Sequence, residues 1–249
     1  MEQLIKKKFF YNLYNLLKHE YVKNINIDLK ETTNKFKLST NFIPKNISQT
    51  ISTYSKNYTI DTSLIKCNIW CKKITKQLLK DLKIILSRFY TLVNFFNNNG
   101  IVFNKQKFIL HYIPTKLNKC LPKIKNSILG PNEINSGLSY IYNNHICIWR
   151  QEEFYKVFLH ELFHCIGFDR FLIESDNTCT INRYYNVKKH INCNEGYNEF
   201  CALIYHCCFL KIENNNYNLC KLIHHNRLFT LLQIKKILNH YSTNNIYIL

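Results

Sequence analysis

The segment Phe154-Tyr155-Lys156-Val157-Phe158-Leu159-His160-Glu161-Leu162-Phe163-His164 constrains this chain most. Phe154, Val157, Phe158, Leu162 and Ile166 recur at steps of three and four, the period of a helix with one buried face. The expected helix starts near Gln151, with Glu152 and Glu153 in its first turn, where negative charge is favoured against the macrodipole. Gly167 supplies the stop.

On such a helix, residues four apart stand one above the other, so the imidazoles of His160 and His164 leave one face and can share a metal ion. Glu161 follows the first imidazole on the same turn. There its carboxylate can reach a metal-held water without becoming a ligand, which makes it the expected general base. With 10 histidines and 16 acidic residues in 249 positions, roughly one to three chains per hundred of this composition would carry the pattern by accident. Context therefore decides: the motif lies in an apolar-periodic helix, directly follows a strand-like run and ends on a glycine.

A catalytic zinc ordinarily takes three protein ligands and keeps a fourth position for water. A further donor must come from elsewhere. Asn194-Glu195-Gly196-Tyr197-Asn198-Glu199-Phe200 opens a second segment expected to be helical to about Lys211, and it puts Glu195 and Glu199 four apart on one face. One of the pair can bind metal while the other supports it. A pattern in which the third donor follows the glycine turn fails on register, because the required position holds Arg170 and Asp169 comes one residue early. Asp169 is expected to stabilise its loop.

HExxH followed by Asn-Glu-Gly-aromatic resembles the gluzincin metallopeptidases, including thermolysin-like enzymes and aminopeptidases with an Asn-Glu-Gly-Phe signature. The resemblance covers His145 to Cys208, with a longer interval between His164 and Glu195 that implies an inserted loop. It implies that Glu195 joins His160 and His164 as the third zinc ligand. Glu199 matches the carboxylate one helical turn later that orients a zinc-bound imidazole. Asn198-Glu199-Phe200-Cys201-Ala202 also resembles the Asn-Glu-x-x-Ala form of the pattern, which would make Glu199 the ligand; Glu195 is preferred. The run from Ile148 to His164 is similar to uncharacterised metallopeptidase-like proteins of large DNA viruses, and heavy use of Asn, Lys, Ile and Tyr suits an AT-rich coding sequence.

These resemblances imply a zincin-like α+β fold, a short sheet over the HExxH helix with additional N- and C-terminal helices, and Zn2+ as cofactor. They imply peptide-bond hydrolysis in a peptide or protein substrate by a metal-activated water, with Glu161 as general base. Gluzincins also use a His or Tyr to stabilise the oxyanion. His206, His224, His225 and Tyr197 are candidates, and no motif singles one out.

Elsewhere, residues 2–22 and 74–97 read as helices, and 31–62 is polar, irregular or short-stranded, with Pro44 as a breaker. After Asn99-Gly100, residues 101–103 and 108–113 read as strands. Residues 136–142 and 145–150 form an expected hairpin about Asn143-Asn144. An edge strand such as 145–150 would offer backbone hydrogen bonds to an extended peptide. A last helix is expected over 218–241, with Leu222, Ile223, Leu228, Leu231, Leu232, Ile234, Ile237 and Leu238 as its apolar stripe. The chain divides into a mainly helical region 1–98 and a catalytic region 99–249, or folds as one continuous domain.

The net charge of +18 supports an alternative reading, a basic protein binding nucleic acid or a membrane surface with a structural or accidental HExxH. Its lysines are scattered, and no nucleic-acid-binding motif accompanies them. No apolar run approaches the roughly 18 residues of a membrane-spanning helix, and the N-terminal segment lacks a signal cleavage site. The cysteines number 11, an odd count, and Cys67-Asn68-Ile69-Trp70-Cys71 and Cys207-Cys208 lack zinc-knuckle spacing. Free thiols in a reducing compartment are expected, hence the cytoplasm, or host cytoplasm or virion for a viral protein.

Overall fold

Short β-branched and aromatic runs from both halves of the chain pair into one mixed sheet. The computed structural model describes residues 2–33, 43–54, 56–101, 106–140, 144–168 and 194–241. Strands β1 (Leu29–Thr32), β2 (Asn57–Asp61), β3 (Ile65–Trp70), β4 (Phe108–Thr115), β5 (Gly137–Tyr140) and β6 (His145–Arg150) lie in the order β1-β2-β3-β4-β6-β5. β1/β2, β2/β3 and β5/β6 are antiparallel, whereas β3/β4 and β4/β6 are parallel. The helices among the described residues are α1 (Glu2–His19), α2 (Lys45–Ser52), α3 (Lys76–Asn98), α4 (Pro131–Ile134), α5 (Phe154–Cys165), α6 (Asn194–Glu213) and α7 (Leu219–His240). The class is α+β with an open six-stranded sheet.

A parallel strand pair needs a crossover, and α3 supplies the one between β3 and β4. The Thr75 hydroxyl caps α3 by accepting from the Leu78 N–H at 3.1 Å. Leu82, Ile85, Leu86, Phe89 and Phe96 recur at helical steps and are buried. They join one core with Ile65, Cys67 and Ile69 of β3, Leu110 and Tyr112 of β4, Ile146 and Ile148 of β6, and residues of α1, α5 and α6. A smaller cluster gathers the alternate residues Trp70, Ile113, Cys147 and Trp149 with Ile47 and Ile51 of α2. The sheet is continuous across residue 98, since β3 and β4 pair from Ile65↔Phe108 to Ile69↔Tyr112.

Several expectations are corrected. Pro44 begins a helix rather than breaking one: its φ of −56° is preset for a helix start, and Ile47 and Ile51 one turn apart give α2 its buried face. α5 begins at Phe154, not Gln151, because the Gln151 N–H still extends the sheet to the Thr115 carbonyl at 3.1 Å. Strand 145–150 is not an edge. β6 is paired on both sides, and β5 is the outer strand. The hairpin register ends at Tyr140↔His145, with Asn144 at φ 50°. Residues 102–103, 141–143, Asp169 and Arg170 lie outside the described residues.

The predicted stripe of α7 meets the main core at its start, and Leu231 and Leu238 further along are half-buried. Leu222 and Ile223 touch the main core, while Leu228, Leu232, Ile234 and Ile237 are exposed. No helix among the described residues is long and apolar enough to cross a membrane. Every described cysteine is a free thiol.

Candidate metal centre

α5 ends in a way that anchors the turn carrying His164. Gly167, at φ 69°, lets its N–H reach the His164 carbonyl at 3.0 Å while the Phe168 N–H reaches the Phe163 carbonyl at 2.9 Å. This is the Schellman arrangement that satisfies the last carbonyls of a helix. It also folds the Phe168 ring onto Phe163, centroids 4.9 Å apart. The last turn of α5, which carries His164, is thereby anchored in the core.

α6 packs along α5 and brings Glu195 to the histidines. His160 Nε2 and His164 Nε2 are 3.2 Å apart, and Glu195 Oε2 lies 3.2 Å from the first and 3.3 Å from the second. Three donor atoms from two helices thus form a nearly equilateral triangle. With ligand bonds of about 2.0–2.1 Å, a tetrahedral zinc site has donor–donor edges of roughly 3.3–3.4 Å. The donor set and its spacing therefore fit such an ion, and these three residues form a group able to hold one. Glu199, one turn beyond Glu195, sits at the opposite ring nitrogen of His160, Oε2 to Nδ1 3.3 Å. Its other oxygen accepts from the Lys156 ammonium, one turn before His160 on α5.

The charges follow from these contacts. Burial lowers the His160 pKa, but the carboxylates of Glu195 and Glu199 outweigh it and hold the imidazole up at about 9. Burial likewise opposes protonation of His164, which Glu195 nonetheless favours. The two imidazoles hold the Glu195 carboxyl far below its ordinary range. Glu199 is also held low, because His160 and Lys156 overcome its burial.

Glu161 behaves oppositely. Burial raises its pKa, and the neighbouring imidazoles and the Ser139 hydroxyl, which donates to it, offset that only in part. A carboxyl with raised proton affinity beside three metal-type donors is chemically suited to accept and return a proton.

β5 makes this environment possible. Its residues Gly137 and Ser139 pair with Ile148 and Ile146, so they share the sheet face that looks onto α5. A Cβ on Gly137 would stand 2.8 Å from Val157 Cγ1 and 3.1 Å from Glu161 Oε1. Only a bare backbone fits there. The loop before β5 is tied down by the buried Arg150, whose guanidinium donates to the carbonyls of Leu117, Asn132 and Asn135.

The candidate oxyanion groups are placed elsewhere. His206 Nδ1 is 2.9 Å from the buried Arg88 guanidinium, which also grips Glu213 with two bonds of 2.7 Å. Tyr197 stacks on Phe168, and His224 and His225 lie exposed on α7. Four residues at the site had no role assigned from the sequence. Lys156, Ser139 and Gly137 carry no motif, although Lys156 precedes His160 by one helical turn and Gly137 is one of only five glycines, and Asn198 entered only as the first residue of the Asn-Glu-x-x-Ala pattern.

The chain matches no family model, no curated protein and no solved structure.

Proposed function

We propose that this protein is a zinc-dependent metallopeptidase with a gluzincin-type site in a zincin-like fold. The observation that carries the reading is the triangle of His160 Nε2, His164 Nε2 and Glu195 Oε2, with edges of 3.2–3.3 Å, beside a buried carboxyl of raised pKa. In this reading His160, His164 and Glu195 hold the ion, and Glu199 orients His160 from its far nitrogen. A bound zinc supplies Lewis acidity, polarising a carbonyl and easing loss of a proton from water. Glu161 takes that proton as the water attacks and passes it to the leaving amine.

An extended peptide is the favoured substrate because of β5. Among the described residues β5 pairs with β6 alone. The Trp149 N–H donates to the Ser136 carbonyl at 3.0 Å. By the alternation of an antiparallel ladder, Leu138 and Tyr140 then bond inward to β6, while the backbone groups of Gly137 and Ser139 point outward. The same two residues face Glu161 with their α-carbons. A peptide adding to this edge would run past the general base, as strand addition requires.

Elemental analysis of purified protein is expected to find about one zinc per chain. Glu161→Gln should keep that zinc while lowering cleavage of a mixed peptide library by three or more orders of magnitude, roughly the scale lost with an essential acid–base group. A folded chain that binds no zinc would refute the reading and favour the basic binding protein.

A further inference from the structure

We propose that Asn198 is a positioning residue that fixes the tautomer of His164 by accepting a hydrogen bond from Nδ1–H. The inference rests on the metal-centre reading and concerns how that centre is prepared. Asn198 lies on α6 between Glu195 and Glu199 and is fully buried. Its side-chain amide is 2.8 Å from His164 Nδ1. The opposite ring nitrogen, Nε2, is the one that faces His160 and Glu195.

A neutral imidazole carries one proton, so the group at one nitrogen decides whether the other offers a lone pair. With the amide nitrogen donating to Nδ1, the proton sits on Nε2 and points into the donor triangle. That tautomer cannot ligate. With the carbonyl oxygen at the same place, the proton sits on Nδ1 and the Nε2 lone pair faces the triangle. Half a turn of the amide interchanges the two, with no other movement. In the first orientation Asn198 Oδ1 has no partner among the described residues, so no other bond holds the amide oxygen away from His164. An Asn can serve both states, and the one competent for metal is that with oxygen towards the ring.

α6 then performs three tasks within one turn. Glu195 enters the triangle, Glu199 faces His160 Nδ1 and Asn198 faces His164 Nδ1. Both ring nitrogens that point away from the metal position are met by side chains of a single helix. Such outer partners fix ring orientation and raise ligand basicity.

The test measures zinc affinity by competition with a chromophoric chelator, and the ring-nitrogen chemical shifts of His164 in the zinc-loaded full chain. Wild type should show a protonated Nδ1 on His164. Asn198→Leu, similar in volume but unable to accept, should bind zinc roughly ten- to a hundredfold more weakly. Asn198→Asp, which only accepts, should stay within a few-fold of wild type and gain about the same thermal stability from zinc as wild type does. Equal affinity in Asn198→Leu, or a loss in Asn198→Asp as large as in Asn198→Leu, overturns the proposal while leaving the centre intact. Should Asn198→Leu fail to fold, the affinity of Asn198→Asp decides alone. A wild-type chain without zinc affinity overturns the metal centre itself, and this assignment with it.

Discussion

Gly137→Ala tests how closely β5 and α5 must approach. The added methyl would stand 2.8 Å from Val157 Cγ1, with the Cys147 carbonyl oxygen and Glu161 Oε1 each at 3.1 Å. Carbon atoms in favourable contact are about 3.5–4.0 Å apart, so roughly 0.7 Å or more must be found. Val157 cannot readily give way: it is buried, and a β-branched side chain on a helix is held near one rotamer. Overpacking of this kind costs about 1–3 kcal/mol. For a chain of this size each kcal/mol lowers Tm by about 2–4 °C, giving an expected fall of roughly 2–12 °C in a thermal melt. Val157→Ala removes the colliding methyl, so in that background Gly137→Ala should cost less by about 1–2 kcal/mol, an interaction energy outside the ~0.5 kcal/mol expected of independent sites. Zinc content should persist in Gly137→Ala, because none of the three donors is touched, while turnover falls as Glu161 is displaced. Additive melts across the four proteins, or an unchanged Tm in Gly137→Ala, would refute the argument.

The Glu195 and Glu199 roles separate by metal retention under dialysis: Glu195→Ala should release zinc, whereas Glu199→Ala should weaken binding by roughly ten- to a hundredfold. Equal retention in Glu195→Ala would reverse the two. His206 should make the fold acid-sensitive, since burial first and then Arg88 push its pKa down to about 3. Its unfolded value is the higher one, so below about pH 6.5 the unfolded chain binds the extra proton and stability falls by about 1.4 kcal/mol per pH unit until the folded pKa is reached. His206→Gln keeps an acceptor for Arg88 without titrating. In chelator-treated protein, urea melts between pH 7.5 and 5 should therefore show a shallower decline than wild type, and parallel declines would contradict the assignment.

The legible parts of this chain were those whose physics is local. α5 and α6 declare themselves through apolar residues at helical steps, and Gly167 through the backbone freedom a Schellman end requires. The spacing of His160 and His164 needs nothing beyond the pitch of one helix. Glu195 and Glu199 lie at the limit of that reasoning, because spacing puts both on one face and only the register of α6 against α5 distinguishes the carboxylate between the imidazoles from the one behind them. Asn198, Ser139 and Lys156 depend wholly on that register or on β5. α2 was hidden because its only apolar residues, Ile47 and Ile51, make a single turn in a polar stretch. The mistaken edge at 145–150 arose because a hairpin fixes which strands are neighbours without saying which of them has a second partner.

The packing of α1 against α6 has a consequence for the order of synthesis. α1 is made before the sheet, yet part of the surface that covers it is made after residue 194. At about 5–20 residues per second, α1 waits roughly ten to forty seconds for α6. Over the same period every strand through β6 and both imidazoles have been synthesised, without Glu195. The apolar side of α1 and the face of α5 that carries His160 and His164 thus reach completion together, on the arrival of one late helix. A ribosome stalled before that helix would leave the apolar side of α1 and the imidazole pair uncovered at once.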